Sequence, residues 1–339
     1  MSNYFYFNRF QLKHNLEIVK EHNPNSKICA MVKANAYGTG LKDAVKTLNG
    51  QVDFFGVANE VEARAVRRYS NVKVLIVGAL NRHKPSLDFS HTCMDLSDIR
   101  FLIGLNKPVN IHLKVNTGMN RFGFKTLKDF RKALKLISKS NLNLEGVFTH
   151  FATTDELVAK QFKLFTKYLK LTKKFNLNPI VHADNSFVNL KCNHHLDIVR
   201  VGFCLYNHTS REFSPVVEIA SRVAEVNIIR RGELVGYDRR FVAKERMKVA
   251  VLPIGYADGF DMHLIGFKLN INGVECKVLN ICMDCFMLDV SKIKIKKGDK
   301  IFILNKSNPL SSYAKHLSTS EYEIMCKFSF IRAKHIYLN

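Results

Sequence analysis

From about residue 8 to residue 206, short apolar runs alternate with longer amphipathic stretches. Eight runs stand out, at residues 28–32, 54–57, 72–77, 91–94, 109–115, 144–148, 179–183 and 198–205. Between most of them, stretches such as 59–68, 127–137 and 156–175 space their apolar residues three and four apart, as one helix face requires. Strand–helix alternation predicts parallel strands joined by crossovers. Eight such units in roughly 200 residues fit a (β/α)8 TIM-like barrel. An open doubly wound sheet is the alternative, but no G-x-G-x-x-G follows any of the runs, and the barrel is favoured.

After residue 207 the texture changes to short β-like segments at 223–229, 248–253, 268–271, 275–281, 286–290 and 300–304, with turns such as Asn272-Gly273 between them. The expected plan is therefore an α/β barrel over residues 8–206, then a mostly β domain over 207–339. One helix is expected in the second domain, around 311–316 or 321–326. Residues 1–7, with Tyr4–Phe7 reading as a strand, are expected to join the β domain or the barrel. No linker rich in proline, glycine or serine separates the two.

Composition narrows the class. The 339 residues are 47% hydrophobic and 24% charged, the balance of a folded globular protein rather than a disordered or fibrous one. No stretch approaches the roughly 18 apolar residues of a membrane span, and the start shows no signal-peptide pattern, so a cytoplasmic protein with no membrane partner is expected. Lysine and arginine number 52 against 29 acidic residues, a net charge of +23. Two patches are dense: Lys292, Lys294, Lys296, Lys297 and Lys300 read as a strand with one wet face, and Lys167, Lys170, Lys173 and Lys174 as a solvated helix face. Neither comes with a nucleic-acid-binding motif or interleaved aromatics, so no nucleic-acid partner is expected. Of the eight cysteines, Cys282-x-x-Cys285 lacks the second pair that zinc needs and reads as core rather than metal or redox chemistry.

Catalytic side chains of a barrel belong at the C-terminal ends of its strands, and phosphate favours the loops after strands seven and eight. Strand one runs into Val32-Lys33-Ala-Asn-Ala-Tyr37-Gly-Thr-Gly40, strand five into Lys114-Val-Asn-Thr-Gly-Met-Asn-Arg121, and strand six into Thr149-His150-Phe-Ala-Thr-Thr-Asp155. Strand seven ends in His182-Ala-Asp-Asn-Ser186, and strand eight carries Arg200-Val-Gly202-Phe203. A rim lysine and ordinary loop residues are the plain reading of each alone. Together, with Ser186, Gly202 and Phe203 where a phosphate belongs, they point to a phosphorylated cofactor facing a lysine. Pyridoxal 5'-phosphate fits that pair, because its aldehyde condenses with a lysine and its ring delocalises carbanion charge.

These motifs resemble those of the alanine racemase family, nearly end to end. Ala30-Met-Val-Lys-Ala-Asn-Ala-Tyr-Gly-Thr-Gly40 is similar to its cofactor-lysine signature, and Lys114-Val-Asn-Thr-Gly-Met-Asn-Arg-Phe-Gly-Phe124 to its second hallmark. Asp197-Ile-Val-Arg-Val-Gly202, Gly255-Tyr-Ala-Asp-Gly259 and Asn280-Ile-Cys-Met-Asp284 follow in the same order. The resemblance implies a homodimeric isomerase interconverting L- and D-alanine for peptidoglycan. Lys33 would hold the cofactor and act as base on one face, and Tyr237 of the partner subunit would be the opposite-face base. It further implies phosphate binding by Tyr37, Ser186, Gly202 and Phe203, with Arg200 at the pyridine nitrogen and His150 near the ring. Arg121 and Met283 would meet the substrate, and Lys114 matches a lysine carbamylated in some members. Tyr256, inside the fourth motif, and Asp155 complete the candidates.

Several positions depart from the family pattern. Asn116 replaces an aspartate, Thr39 a histidine, Asn280 and Met262 arginines, Val201 a proline and Phe330 a tyrosine. They bear on the phosphate grip and substrate corridor, so a serine or broad-specificity racemase on the same scaffold stays open. A non-catalytic cofactor-binding protein is the alternative of another class; residues 207–339 and Tyr237 speak against it.

Overall fold

The computed structural model describes residues 3–192, 194, 196–207, 210, 212–328 and 332–338. Its larger unit, Lys13–Ala36 with Leu41–Phe213, is built on a closed barrel of eight parallel strands. They are Lys27–Met31, Phe54–Val57, Lys73–Ile76, Ser90–Cys93, Val109–Lys114, Leu142–Phe148, Ile180–Asn185 and Ile198–Val201, and the last pairs with the first to close the ring. Continuous burial along Phe54–Val57 and along Ile198–Val201, where only Arg200 is not apolar, suits strands covered on both faces.

Helices fill the expected gaps. Glu60–Arg67 starts where Asn59 accepts a hydrogen bond from the Glu62 amide, and Leu127–Ile137 starts where Thr126 accepts from Asp129. Leu127–Ile137 buries Phe130, Ala133, Leu134 and Ile137, the three-and-four spacing read from the sequence. In Leu157–Lys173 the lysines at 167, 170 and 173 face solvent, as expected of a wet helix face.

The second unit comprises Met1–Leu12, Tyr37–Gly40 and Ser214–Asn339. It holds a four-stranded sheet containing Lys300–Leu304, Val217–Arg222, Asn3–Asn8 and Lys334–Leu338 in that spatial order. A five-stranded antiparallel sheet follows the order Glu225–Ile229, Met247–Leu252, Phe286–Asp289, Val274–Ile281, Lys268–Ile271. The N-terminal segment thus lies in the β unit, antiparallel to Val217–Arg222 and parallel to Lys334–Leu338.

Four expectations need correction. The eighth barrel strand stops at Val201, and residues 203–206 form a short helical turn, because an apolar run cannot by itself distinguish strand from buried helix. Strands Val217–Arg222 and Lys334–Leu338 were not expected; the first directly follows a loop and the second alternates too little to announce itself. Residues 292–297 are turn and irregular chain rather than a strand, so the basic run decorates a loop. Both 310–316 and 321–327 are helical, giving two helices where one was expected.

Candidate active site

Lys33 directly follows the strand Lys27–Met31 and residue Val32, and is half-buried. The next four residues are all left-handed, with φ of 52° at Ala34, 54° at Asn35, 52° at Ala36 and 56° at Tyr37. Such backbone costs about 1–2 kcal/mol per non-glycine residue, so it needs external support. Glu62 supplies it: one carboxylate oxygen accepts from the Ala34 amide at 2.7 Å and the other from the Ala58 amide at 2.8 Å. Asn35 in turn accepts from the Leu41 amide at 2.8 Å. Glu62 and Asn35 were not singled out by the sequence. Their only signal was an acidic residue in the first turn of the helix beside a long apolar strand.

Around Lys33 the barrel gathers cations. Lys114 ends the strand Val109–Lys114, Arg121 lies on the exposed loop after it, and Arg200 is buried on Ile198–Val201. Lys114, Arg121, Phe122 and His150 line one small cleft. Burial, with the charges of Arg121, Arg200 and Lys33, pushes Lys114 from 10.5 down to about 8. Burial and the charges of Arg200, Arg121, Lys114 and Lys33 press His150 down to about 2, so its imidazole is neutral. Every charge acting on Lys114 and His150 is thus positive. Arg200 is held by burial at about 10 and stays charged at neutral pH. Its guanidinium lies 5.1 Å from the Phe148 ring, and Lys114 lies 5.6 Å from the same ring.

Ser186 Oγ accepts from the Gly202 amide at 3.0 Å, which joins the loop after strand seven to the end of strand eight. Phe203 begins the following turn, its ring 6.2 Å from that of Phe187. A cluster of cations beside a serine and a glycine at these two loops suits a phosphorylated anion with an aldehyde for the lysine. The donor set fits pyridoxal 5'-phosphate. Asp155 lies outside this cluster: it is exposed and accepts from Thr153 Oγ1 and the Leu157 amide, holding the start of the helix Leu157–Lys173.

The second unit carries the remaining candidates. Tyr37 is buried, its ring 6.0 Å from that of Tyr322. Tyr237 sits in a turn with 69% of its surface exposed, rather than packed in a strand, and Met283 and Tyr256 are exposed as well. Asn280, 1% exposed, donates to the carbonyls of Val235 at 2.9 Å and Tyr237 at 3.1 Å. The position seen in the sequence only as a missing arginine therefore clamps the Tyr237 turn. The Tyr256 and Ala257 amides donate to the carbonyls of Cys282 and Met283, each at 3.1 Å. Arg332 bonds both oxygens of buried Asp258 and reaches Asp284 at 2.7 Å, tying the same two turns together.

Other departures also find roles. Asn116 Oδ1 accepts from the Gly118 and Asn120 amides, so an amide organises that loop as a carboxylate would. Thr39 and Val201 are buried, and Met262 opens a short turn. Phe330 lies outside the described residues. Cys282 and Cys285 are half-buried free thiols beyond the strand end at Ile281, packed against the apolar cluster that holds Val235, Leu279 and Met287, as the core reading expects. Among the described residues no group of metal-ligating side chains forms.

Comparison with known proteins agrees with this geometry. Residues 8–210 match the family model for the alanine racemase N-terminal domain and residues 216–337 the one for its C-terminal domain. An alanine racemase of Francisella tularensis subsp. tularensis (strain WY96-3418) is 33% identical over 93% of this chain and 94% of its own. The solved alanine racemase of Clostridium difficile 630 superposes with a TM-score of 0.93 at 27% identity, covering 100% of this chain and 96% of its own. The alanine racemase of Bartonella henselae, solved with covalently bound pyridoxal phosphate, shares the fold with a TM-score of 0.88 at 23% identity over 100% of each chain.

Two outcomes follow. Lys114 loses its charge as pH rises through about 8, so acetylation by dilute acetic anhydride reaches half its limiting rate near that pH, read by mass spectrometry; exposed lysines require a pH above 10. Asn280→Ala leaves two carbonyls in the Tyr237 turn without their donor, and hydrogen exchange of residues 235–240 speeds up by at least about tenfold, from the 1–2 kcal/mol of each lost bond.

Proposed function

Because the chain belongs to the alanine racemase family, we propose that it interconverts L-alanine and D-alanine, with pyridoxal 5'-phosphate carried on Lys33. The observation that carries this reading is the concentration of Lys33, Lys114, Arg121 and Arg200 around a neutral His150 at the C-terminal end of the barrel. When bound, the cofactor supplies an aldehyde and a conjugated ring that together acidify the substrate Cα–H.

The chain's own groups do the rest. Racemisation removes a proton from one face of Cα and delivers another to the opposite face, so two acid–bases are needed. Lys33 holds the cofactor and moves the proton on one face; Tyr237 of the partner subunit serves the other. With the cofactor held on Lys33, Arg200 would meet its pyridine nitrogen. Because a guanidinium does not surrender its proton, it keeps that nitrogen unprotonated and limits side reactions. Arg121 and Met283 meet the substrate, and Ser186, Gly202, Phe203 and Tyr37 take the phosphate. Lys114, once carbamylated, would steady Arg121.

The proposal includes a homodimer. Tyr237, Met283, Leu234, Val242 and Tyr256 are large apolar or aromatic side chains left exposed on the second unit. A second copy covering these turns would also explain why Asn280 and Arg332 hold them so firmly. Among the described residues no helix is long and apolar enough to cross a membrane. With seven described cysteines free, a reducing compartment such as the cytoplasm suits the chain.

Purified protein is expected to absorb near about 420 nm, from its lysine–cofactor linkage, and to form D-alanine from L-alanine faster than D-serine from L-serine. Lys33→Ala abolishes the band; a colourless wild type that takes up no added cofactor would sink the reading. Lys33→Ala and Tyr237→Phe are each expected to lose roughly 100-fold or more in kcat, the usual worth of an acid–base. Mixing the two inactive variants under conditions of subunit exchange restores roughly a quarter of wild-type activity, because half the dimers are hybrids with one intact site. No restoration would mean that Tyr237 serves its own chain.

A further inference from the structure

A line of buried polar groups runs down the barrel interior from Arg200. Arg200 Nη1 lies 2.5 Å from His182 Nδ1, His182 Nε2 lies 2.8 Å from His112 Nδ1, and His112 Nε2 lies 3.2 Å from Glu145 Oε2. Lys73, the first residue of its strand and exposed at the opposite rim, closes the line on Glu145 Oε1 at 2.7 Å. Ser90 Oγ donates to Glu145 as well. His112 and His182 are fully buried, and neither belongs to the cationic cluster's own surface.

Donor chemistry allows this line only one proton arrangement. A guanidinium has no acceptor, so Arg200 donates and His182 Nδ1 must carry a lone pair. The His182 proton then sits on Nε2 and is given to His112 Nδ1, which must also be an acceptor. The His112 proton therefore sits on Nε2 and is given to the Glu145 carboxylate. A proton on either Nδ1 would set two donors against each other at 2.5 or 2.8 Å. Burial lowers the affinity of both imidazoles for a second proton, with the charge of Arg200 acting the same way. At Glu145, burial opposes ionisation, but hydrogen bonds from His112, Lys73 and Ser90 outweigh it and hold the carboxyl at about 2.

Packing keeps the line in place. Phe148 stacks on His182, with centroids 4.6 Å apart and planes 7° apart. Gly146 leaves the space for His112: a Cβ there would fall 2.1 Å from its Nδ1. That glycine does not have positive φ, so its missing side chain serves the histidine and not the backbone.

We propose that Glu145, remote from the cationic cluster, is a positioning residue that holds the far end of this line: Arg200 can only donate and the Glu145 carboxylate can only accept, so the carboxylate disfavours the reversed proton arrangement, reinforces the Nε2–H tautomers of His112 and His182 and steadies the direction in which Arg200 presents its donors. Arg200 commits one Nη1–H to His182 and both Nη2 hydrogens to the carbonyls of Thr149 and Ala183, with His150 Nδ1 3.4 Å from the same Nη2, so three of its five donors are used. The relay thereby determines which donors stay available for the ring nitrogen. This role for Arg200 rests on the racemase reading; the tautomers do not.

The experiment is histidine ¹⁵N NMR on the cofactor-loaded protein, alongside alanine racemisation kinetics. In the wild type, both rings are expected to stay neutral Nε2–H tautomers between roughly pH 6 and 8, the range in which an ordinary imidazole titrates. Glu145→Gln replaces a pure acceptor with a group that both donates and accepts. It is expected to mix the tautomers and lower kcat about fivefold or more with KM within twofold, about 1 kcal/mol on the transition state alone. Glu145→Asp, which restores the charge, recovers the wild-type spectrum and part of kcat, and Lys73→Met leaves the tautomers unchanged. An Nδ1–H or doubly protonated ring in the wild type overturns the relay without any variant being needed. Mixed tautomers at wild-type kcat, or unmixed ones in Glu145→Gln, overturn the positioning role. Should the protein take up no cofactor, the racemase reading falls while the wild-type tautomers still decide the relay.

Discussion

Arg200 is a guanidinium with almost no contact with water, and such a charge is tolerable only if its donors are met. Meeting them ties three consecutive strand ends together: Thr149 after one strand, Ala183 on the next, and Arg200 itself on the last. The same need extends inward through His182 and His112 to Glu145, where a carboxylate balances the line. A closed barrel makes this possible, because its interior brings residues distant in sequence within a few ångströms while excluding the water that would otherwise solvate them.

The accumulation of positive charge at the same end is the other side of this arrangement. The charges of Lys33, Arg121 and Arg200 add to burial in making Lys114 costly to ionise, at about 8, and they help keep His150 neutral. A fold selected for stability alone would separate such groups. Their retention beside a strained left-handed turn, supported by Glu62, marks the place where stability was given up for binding an anion.

In the second unit the governing need is different, since its important side chains are exposed. Tyr237 and Met283 gain definition from the backbone below them. Asn280 holds one turn by its carbonyls, and Arg332 joins Asp258 to Asp284 across the other two. Buried Asn280 and Asp258 thus fix the backbone from which the exposed Tyr237 and Met283 project.

Much of this was legible in the residue pattern. Apolar runs located all eight barrel strands, because local periodicity is what decides which stretches can bury a face. The motif lysines, tyrosines and Arg200 carried the family and its chemistry, since reacting groups must be of particular types at strand ends. Strand ends such as 198–205, and the pairing of Lys334–Leu338 with Asn3–Asn8, were not legible, because strand pairing is a long-range contact that no local pattern encodes. The same reason hid Glu62, Asn280 and Glu145. Each reads in the sequence as an ordinary polar residue, or a lost arginine, and acquires its role only from the atoms that folding places within 3 Å or so of it. The sequence by itself determined which elements form and which chemistry the chain can carry. Only the tertiary structure decided which polar groups meet, and with them the protonation of the buried histidines, because hydrogen bonds and burial act through space rather than along the chain.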